Sequence, residues 1–446
     1  MSHLTQLEPA KPSNFDAHHA PSKELISDCV HCGFCLPACP TYVLWGEEMD
    51  SPRGRIYMMK KTLEGQAPLD RTFGLHMDNC LGCMACMTAC PSGVQYGKLI
   101  EETRAQIERN IPRTTSDSLF RKLLFAIFPY ASRLRMIAIP TLVYQRSGLQ
   151  TLVRKSGILS SLPVRLAAME ALLPRVPNNP FRGLPELTAP SGDRRQRVGM
   201  LAGCVQQVFF QHVNEATARV LAAEGFEVVI PPSQGCCGAL MVHSGLEPEA
   251  LDFACKIIAS FEAANVDTIV INAAGCGSTM KEYGYMLRDD PAWAPRAVAF
   301  SAKCKDISEI LCDFPALSKR HPIAMRVAYH DACHLRHAQA VFEQPRRLLA
   351  GIPGLEVVEV EEASLCCGSA GVYNLLNPET ANELGDRKVE NLLAAKADAV
   401  ISANPGCLLQ LMSGLRRRGM ETMPAFHMVE LLDASIRNVQ LTARDS

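Results

Sequence analysis

The stretch CVHCGFCLPACP, residues 29–40, sets Cys29, Cys32, Cys35 and Cys39 ahead of Pro40, and CLGCMACMTACP, residues 80–91, repeats the pattern with Cys80, Cys83, Cys86 and Cys90 ahead of Pro91. A CxxCxxC turn brings three thiolates to one side of a tight loop while backbone N–H groups face the sulfurs and offset their charge. The run CxxCxxCxxxCP, present twice, has the spacing of bacterial two-cluster ferredoxins, in which three cysteines of one run and the fourth of the other serve each cluster. On that reading Cys29, Cys32, Cys35 and Cys90 hold one 4Fe-4S cluster, and Cys80, Cys83, Cys86 and Cys39 hold a second. Gly33, Gly82 and the small Ala38, Ala85 and Ala89 leave backbone room beside inorganic sulfide. The prolines are expected to end a local helix and redirect the chain. Structural zinc is the competing reading of paired CxxC units, but the triple spacing with its CP ending suits cubanes better.

Beyond a Pro-rich stretch from Pro174 to Pro190, short apolar strands alternate with longer amphipathic helices. Strands are predicted at 198–202, 227–231 and 268–272, with helices at 208–224 and 247–264 between them. The same order returns at 326–330, 355–360 and 399–403, with helices at 341–350 and 378–395, so the chain contains an internal repeat. The cysteines repeat with it: Cys204, Cys236, Cys237 and Cys276 in the first copy, Cys333, Cys366, Cys367 and Cys407 in the second, each with a CCG triplet. All fall just after predicted strands, at the edge of a parallel α/β sheet where ligands gather. Gly203, Gly275 and Gly406 precede their cysteines and are expected to permit tight strand-to-helix turns with exposed N–H groups. The two sets, expected to face each other across one site, read together as a third iron-sulfur cluster or a redox site, or alternatively as buried turns that keep their thiols without metal. Cys255, Cys304 and Cys312 have no counterparts and read as core fillers. His330, His334 and His337 flank Cys333 as ligands, proton carriers or satisfied structural residues.

Between these parts, residues 104–197 carry sixteen Lys or Arg against five Asp or Glu, although the whole chain nearly balances 45 against 46. Within it, Leu119 to Gln145 mixes apolar faces with Arg121, Lys122, Arg133 and Arg135, and Pro129 and Pro140 are expected to break it into short helices. Such a segment reads as a helical connector with solvated charges, or as a docking surface for anionic lipid or a partner subunit; nucleic acid is not expected.

The 446 residues, 48% hydrophobic and 20% charged, describe a globular chain of several domains and exclude a disordered or mini-protein class. Met1 to Ser27 is polar and lacks an apolar signal region, so the nineteen cysteines are expected in a reducing cytoplasm, where metal or redox chemistry outranks disulfides. No window reaches the ~18 apolar residues of a spanning helix, which leaves at most peripheral contact with the inner face of the membrane. The expected fold class is α+β and α/β: a polar segment (1–28), a ferredoxin-like two-cluster helical domain (29–103), a basic amphipathic linker (104–197) and two CCG α/β repeats (198–320 and 321–446). No GxGxxG, GxxxxGK[ST] or GxSxG occurs.

The paired cysteine runs followed by two CCG repeats, with LPACPTY at 36–42 and LGCMACMTACPSGVQYG at 81–97, resemble the iron-sulfur subunit of bacterial glycolate oxidase, of the CCG-domain, heterodisulfide-reductase-related family. The resemblance implies an oxidoreductase subunit that does not itself bind substrate and has no catalytic residue of its own. It implies FAD on partner dehydrogenase subunits that oxidise glycolate, with electrons passed on toward membrane quinone. Alternatives within reach are the iron-sulfur subunit of a glycerol-3-phosphate or lactate dehydrogenase, or a thiol/disulfide reductase centre at the CCG repeats. Heterodisulfide reductase halves end in CxxC, whereas Thr279 and Gln410 stand in the last place here.

Overall fold

A computed structural model describes residues 12–441; the first eleven residues of the polar segment and the last five of the second repeat lie outside the described residues. The chain divides into two compact units, Met1–Thr114 with His243–Leu246, and Thr115–Val242 with Glu247–Ser446.

Among the described residues the first unit is helical. Helices Pro52–Leu63, Arg71–Asp78 and Tyr96–Asn110 turn Ile56 and Met59, Phe73 and Met77, and Leu99, Ile100 and Ile107 inward, all of them buried. This is the stripe that a 3.6-residue period places on one face. The last of these helices runs through residue 103 to Asn110. Ser51 and Asp70 cap their helices by accepting from the amides of Gly54 and Phe73. Asp16 ties down the preceding segment: Arg109 donates to its carboxylate at 3.0 Å and, with Asn110 and Gln106, holds it well below the usual range. Pro40 opens the helix Pro40–Trp45 rather than ending one. At the first helical position its missing N–H is not needed and its φ is already set.

The second unit holds two sheets. β1 (Leu187–Thr188), β2 (Gln196–Met200), β3 (Phe226–Val229), β4 (Thr268–Ile271) and β5 (Cys304–Asp306) lie in the order β1-β3-β2-β4-β5, parallel except for β1. β6 (Met325–His330), β7 (Leu355–Val358), β8 (Ala399–Ser402) and β9 (Ala425–His427) form a second sheet, β7-β6-β8-β9, parallel throughout. Every residue of β4 and β8 is buried, as helices on both faces of a parallel sheet require. The six strands predicted from the sequence are present; β1, β5 and β9, of two or three residues, are too short to show a period.

The repeats exchange helices. Gln211–Ala223 of the first packs on Met428–Arg437 of the second, and Ile307–Asp313 of the first on Glu343–Ala350 of the second. Met200, Val220 and Leu221 thus share one core with Val327, Val400, Leu431 and Leu432. Arg219 forks onto the Asp433 carboxylate, with its shortest contact at 2.7 Å, and Gln339 donates across to the Ala274 carbonyl at 2.9 Å.

β5 and β9 end at equivalent positions, and each last residue caps the next helix in a capping box, Asp306 with Glu309 and His427 with Glu430. Both caps are fully buried and both prefer the neutral form. Burial pushes Asp306 up to about 6 and His427 down to about 4. His427 Nδ1 accepts from the Val429 amide and Nε2 donates to the Asn272 carbonyl, and burial of the ring outweighs the pull of the Ala403 and Asn272 backbone toward a second proton. The stability that neutral Asp306 contributes is present below pH ~4 and lost as pH rises through about 6. That from neutral His427 is present above ~6.5 and lost as pH falls through about 4. The two slopes oppose each other, at about 3 kcal/mol each from shifts of two units or more. Urea unfolding of Asp306→Asn, relative to wild type, is therefore expected to gain a stability that climbs between pH 4 and 6.5, and His427→Gln one that falls. Parallel pH profiles for both variants and wild type would refute this.

The linker forms helices Thr115–Ile127, Ala131–Arg146, Leu149–Lys155 and Val164–Ala171. Pro129 separates the first two, but Pro140 lies inside the second, contrary to the expected break. The helix continues because the proline costs it one hydrogen bond while the Thr141 hydroxyl donates to the Ile137 carbonyl beside the gap. No single helix among the described residues is long and apolar enough to cross a membrane; the first two linker helices would pass only as a pair bent by 101°.

Candidate functional site

The two CxxCxxC loops have the same backbone. His31 and Gly33 in the first, and Gly82 and Met84 in the second, take up positive φ at the second and fourth residues after the leading cysteine. Left-handed residues in such turns aim backbone N–H groups into one concavity that favours negative charge. Gly82 N–H donates to the Cys80 sulfur at 3.3 Å, and the His31 amide does the same for Cys29.

Each loop opens on a pocket. Cys29, Cys32, Cys35 and Cys90 line the first, which encloses about 410 Å³ with Val30, Phe34 and Arg53 at its wall. Cys39, Cys80, Cys83 and Cys86 line the second, of about 300 Å³. Cys39 and Cys90 thus each face the triplet of the other run. Pro52, Cys86 and Tyr96 border both pockets. The first pocket reaches the surface: Cys32 is exposed, and Val30 and Phe34 are about two-thirds exposed. All four cysteines of the second are buried.

The second pocket has a cationic wall that sequence reasoning missed. Arg55, 1% exposed, donates to Asp50 at 3.0 Å, to Thr41 Oγ1 at 3.2 Å and to the His76 carbonyl at 2.7 Å, with Nη1 4.0 Å from Cys39 Sγ. Arg104 donates to the Cys80 carbonyl. Burial alone would push the Cys80 thiol up, but these two guanidinium groups outweigh it and hold the thiol below its ordinary range. Cys35 is pushed up to about 11, mainly by burial, although Arg53 lies at the wall of its pocket. Two four-thiol pockets with inward amides and compensating cations, Arg53 at the first and Arg55 with Arg104 at the second, fit anionic thiolate-bound clusters.

In the CCG units every cysteine of the repeat lies at the carboxyl end of a strand, after β2, β3 and β4 in one unit and after β6, β7 and β8 in the other. In the first, Cys236 contacts Cys204 and Cys237, and Cys237 contacts Cys276. In the second, Cys333 Sγ lies 3.9 Å from Cys366 Sγ, and Cys367 contacts Cys366 and Cys407. The triplet glycine is required by close approach: a Cβ on Gly368 would stand 2.5 Å from the Ala381 carbonyl, and one on Gly238 3.2 Å from that of Ala250, with φ positive at both. Gly275 and Gly406 sit inside the first turns of their helices rather than in the turns before them. Gln410 is buried and bridges Ala381 and Asn374. Cys304 is a buried core residue, while Cys255 and Cys312 are partly buried.

Three sequence families match the chain: the 4Fe-4S dicluster domain at residues 28–94, the linker region of the glycolate oxidase iron-sulfur subunit at 116–173, and the cysteine-rich CCG domain at 198–281 and 327–412. A probable glycolate oxidase iron-sulfur subunit of Bacillus subtilis is 42% identical, over 91% of this chain and 93% of its own. The chain belongs to the glycolate oxidase iron-sulfur subunit family. A second family member, the glycolate oxidase iron-sulfur subunit of Escherichia coli, is 34% identical over 92% of this chain and 95% of its own. The lactate utilization protein A of an Exiguobacterium species is 28% identical, over 54% of this chain and 98% of its own. The family's fold class is that of this molecule: a dicluster domain followed by a CCG domain present twice.

Proposed function

We propose that the chain is the electron-transfer iron-sulfur subunit of a flavin-dependent glycolate (2-hydroxy acid) dehydrogenase complex, taking electrons from FAD-binding partner subunits and passing them toward a membrane quinone. The observation that carries this reading is the pair of four-cysteine pockets sharing a wall at Pro52, Cys86 and Tyr96. Clusters bound there would supply one-electron transfer. The residues do the rest: Cys29, Cys32, Cys35 and Cys90 would hold one cluster, and Cys39, Cys80, Cys83 and Cys86 the other. Burial keeps water from the second pocket, and Arg55 and Arg104 offset its negative charge. The exposed rim at Val30 and Phe34 gives a partner's redox group a close approach to the first. Removing two electrons from a hydroxy acid needs a hydride acceptor, which the names of the two glycolate oxidase relatives suggest lies on another subunit. The test is anaerobic purification of the native complex: glycolate should reduce the cluster EPR signals only when the flavin subunits are present. Fewer than about four irons per chain after reconstitution, short of one cubane, would defeat the reading.

The membrane side of the proposal is supported by the linker, where Leu119, Leu123, Met136, Val143 and Leu152 are half or more exposed. Part of its positive charge is spent internally, since Arg154 pairs with Glu170 at 2.9 Å and Arg165 with Asp117 at 2.8 Å. Binding should therefore depend on apolar contact more than on lipid charge. Flotation with liposomes is expected to be lost on Leu123→Asp with Met136→Asp and reduced only in part by omitting anionic lipid; no flotation of the wild-type complex would remove the membrane arm.

A second reading is favoured by the sulfur-to-sulfur contacts of the CCG units, which suit a thiol/disulfide centre. Cys237→Ser and Cys367→Ser would then abolish turnover with the N-terminal cluster spectra intact.

A further inference from the structure

We propose that the second CCG unit holds a transition-metal centre with a histidine nitrogen, that of His330, beside its thiolates, while the first unit offers thiolates alone. This rests on the reading that the CCG cysteines bind metal, and adds a ligand to it. His330 is the last residue of β6 and is 1% exposed. Neither ring nitrogen makes a hydrogen bond to a nitrogen or oxygen of the protein. Its ligating atom and the sulfurs of Cys367 and Cys407 all lie within 4.8 Å of one another. The Cys333 and Cys366 sulfurs, 3.9 Å apart, are near the ~3.8 Å that separates two thiolates each about 2.3 Å from one tetrahedral ion. The other two histidines of this segment are engaged: His337 Nε2 pairs with the Ser364 carbonyl at 3.0 Å, and His334 has a partner of its own.

The ring hydrogen-bonds to the Cys367 sulfur, and a metal shared with that thiolate would take the nitrogen lone pair in place of this weak contact. The repeat itself provides the contrast. Counting back from the matching cysteines, the place of His330 is taken in the first unit by Leu201, fully buried. Counting forward from the CCG triplets, the place of Lys388 is taken by Ile258, also fully buried. Lys388, 1% exposed, has an ammonium that interacts electrostatically with Cys366 and Cys367. Where the first unit presents hydrocarbon, the second presents a nitrogen donor and a buried cation that offsets thiolate charge. Imidazole with thiolates suits borderline ions, zinc or iron.

The test uses the full chain purified anaerobically, assayed for iron, zinc and acid-labile sulfide, with X-ray absorption at the edge of the metal found. The variants are His330→Leu, which copies the first unit, His330→Cys, and Cys366→Ser with Cys367→Ser. The double serine variant should lose the metal of the second unit. His330→Leu should weaken its retention against a chelator by at least the roughly 10- to 100-fold that an outer-shell loss costs. His330→Cys should restore retention and exchange a nitrogen scatterer for sulfur. The EPR signals of the N-terminal pockets should stay unchanged throughout, which shows that the first unit is intact, while recovery in His330→Cys shows that the second unit tolerates substitution at this position. Wild-type retention in His330→Leu, with metal lost from the double serine variant, would overturn the histidine ligand and leave metal binding by the CCG cysteines standing. Full metal in the double serine variant would overturn both.

Discussion

Cys90→Ser is expected to remove the cluster signal that Cys29→Ser, Cys32→Ser or Cys35→Ser removes, and Cys39→Ser the signal lost with Cys80→Ser, Cys83→Ser or Cys86→Ser. Each substitution should cost about half of the iron and sulfide of the first unit, since one of its two four-cysteine sets is broken. The crossed pattern is the informative part. In the sequence Cys90 belongs to the run 80–90, yet it lines the pocket of Cys29, Cys32 and Cys35, while Cys39 lines the pocket of the other run. The two losses should also differ in kind. The first pocket is open at Cys32 and rimmed by exposed Val30 and Phe34, so a serine there should leave a folded chain that no longer exchanges electrons with its partner. The second pocket is buried among Thr41, Arg55 and Tyr96, so its loss strands Arg55 and Arg104 beside an emptied cavity and should lower stability as well. Low-temperature EPR of the reduced chain, with iron and sulfide counts, decides it. Loss of the same signal in Cys90→Ser and Cys80→Ser would overturn the crossed assignment.

How far the fold could be read beforehand depended on the range of the interaction concerned. The cysteine runs are local: two residues between successive thiols of each triplet and a left-handed residue at fixed steps, such as His31 and Met84, make a loop whose shape needs little from elsewhere. β4 and β8 were legible because four consecutive buried residues follow a helix of the right length. β5 and β9 were not, since three residues at a sheet edge gain their partners only by pairing along Ile269–Ile271 of β4 and Val400–Ser402 of β8. Pro140 misled because helix propensity penalises it without seeing that the surrounding turns persist. Arg55 lies 16 residues from Cys39 and 25 from Cys80, and Arg104 was counted only as part of a basic stretch. Helix packing alone turns both inward, and no spacing rule announces a buried guanidinium. His330 was noticed for its neighbours in sequence, but its place beside the Cys367 and Cys407 sulfurs is visible only in three dimensions.

Arg55→Leu is expected to destabilise the first unit by about 3–5 kcal/mol, the usual cost of removing one partner of a buried ion pair. Arg55 and Asp50 are 1% and 6% exposed at their side chains and 3.0 Å apart. Asp50 also accepts from Asn79 at 3.1 Å and faces His76 Nδ1 at 3.2 Å, so without Arg55 its carboxylate stays buried with weaker partners. The His76 carbonyl and Thr41 Oγ1 lose a donor at the same time. Arg55→Lys keeps the charge but cannot reach all three acceptors with one ammonium, and should fall between wild type and Arg55→Leu. Asp50→Leu combined with Arg55→Leu should recover part of the loss, because no unpaired charge remains. The same substitution acts on the pocket. With Arg55 gone, Arg104 is the remaining guanidinium beside the Gly82 amide and Tyr96 hydroxyl that opposes burial at Cys80, so the thiol should climb and the cluster held there should be harder to reduce, its midpoint potential moving negative. Urea unfolding followed by Trp45 fluorescence in a Trp293→Phe background, with redox titration of the folded fraction, measures both effects. A loss under 1 kcal/mol with an unchanged potential would show that the guanidinium neither holds this pocket together nor sets its charge.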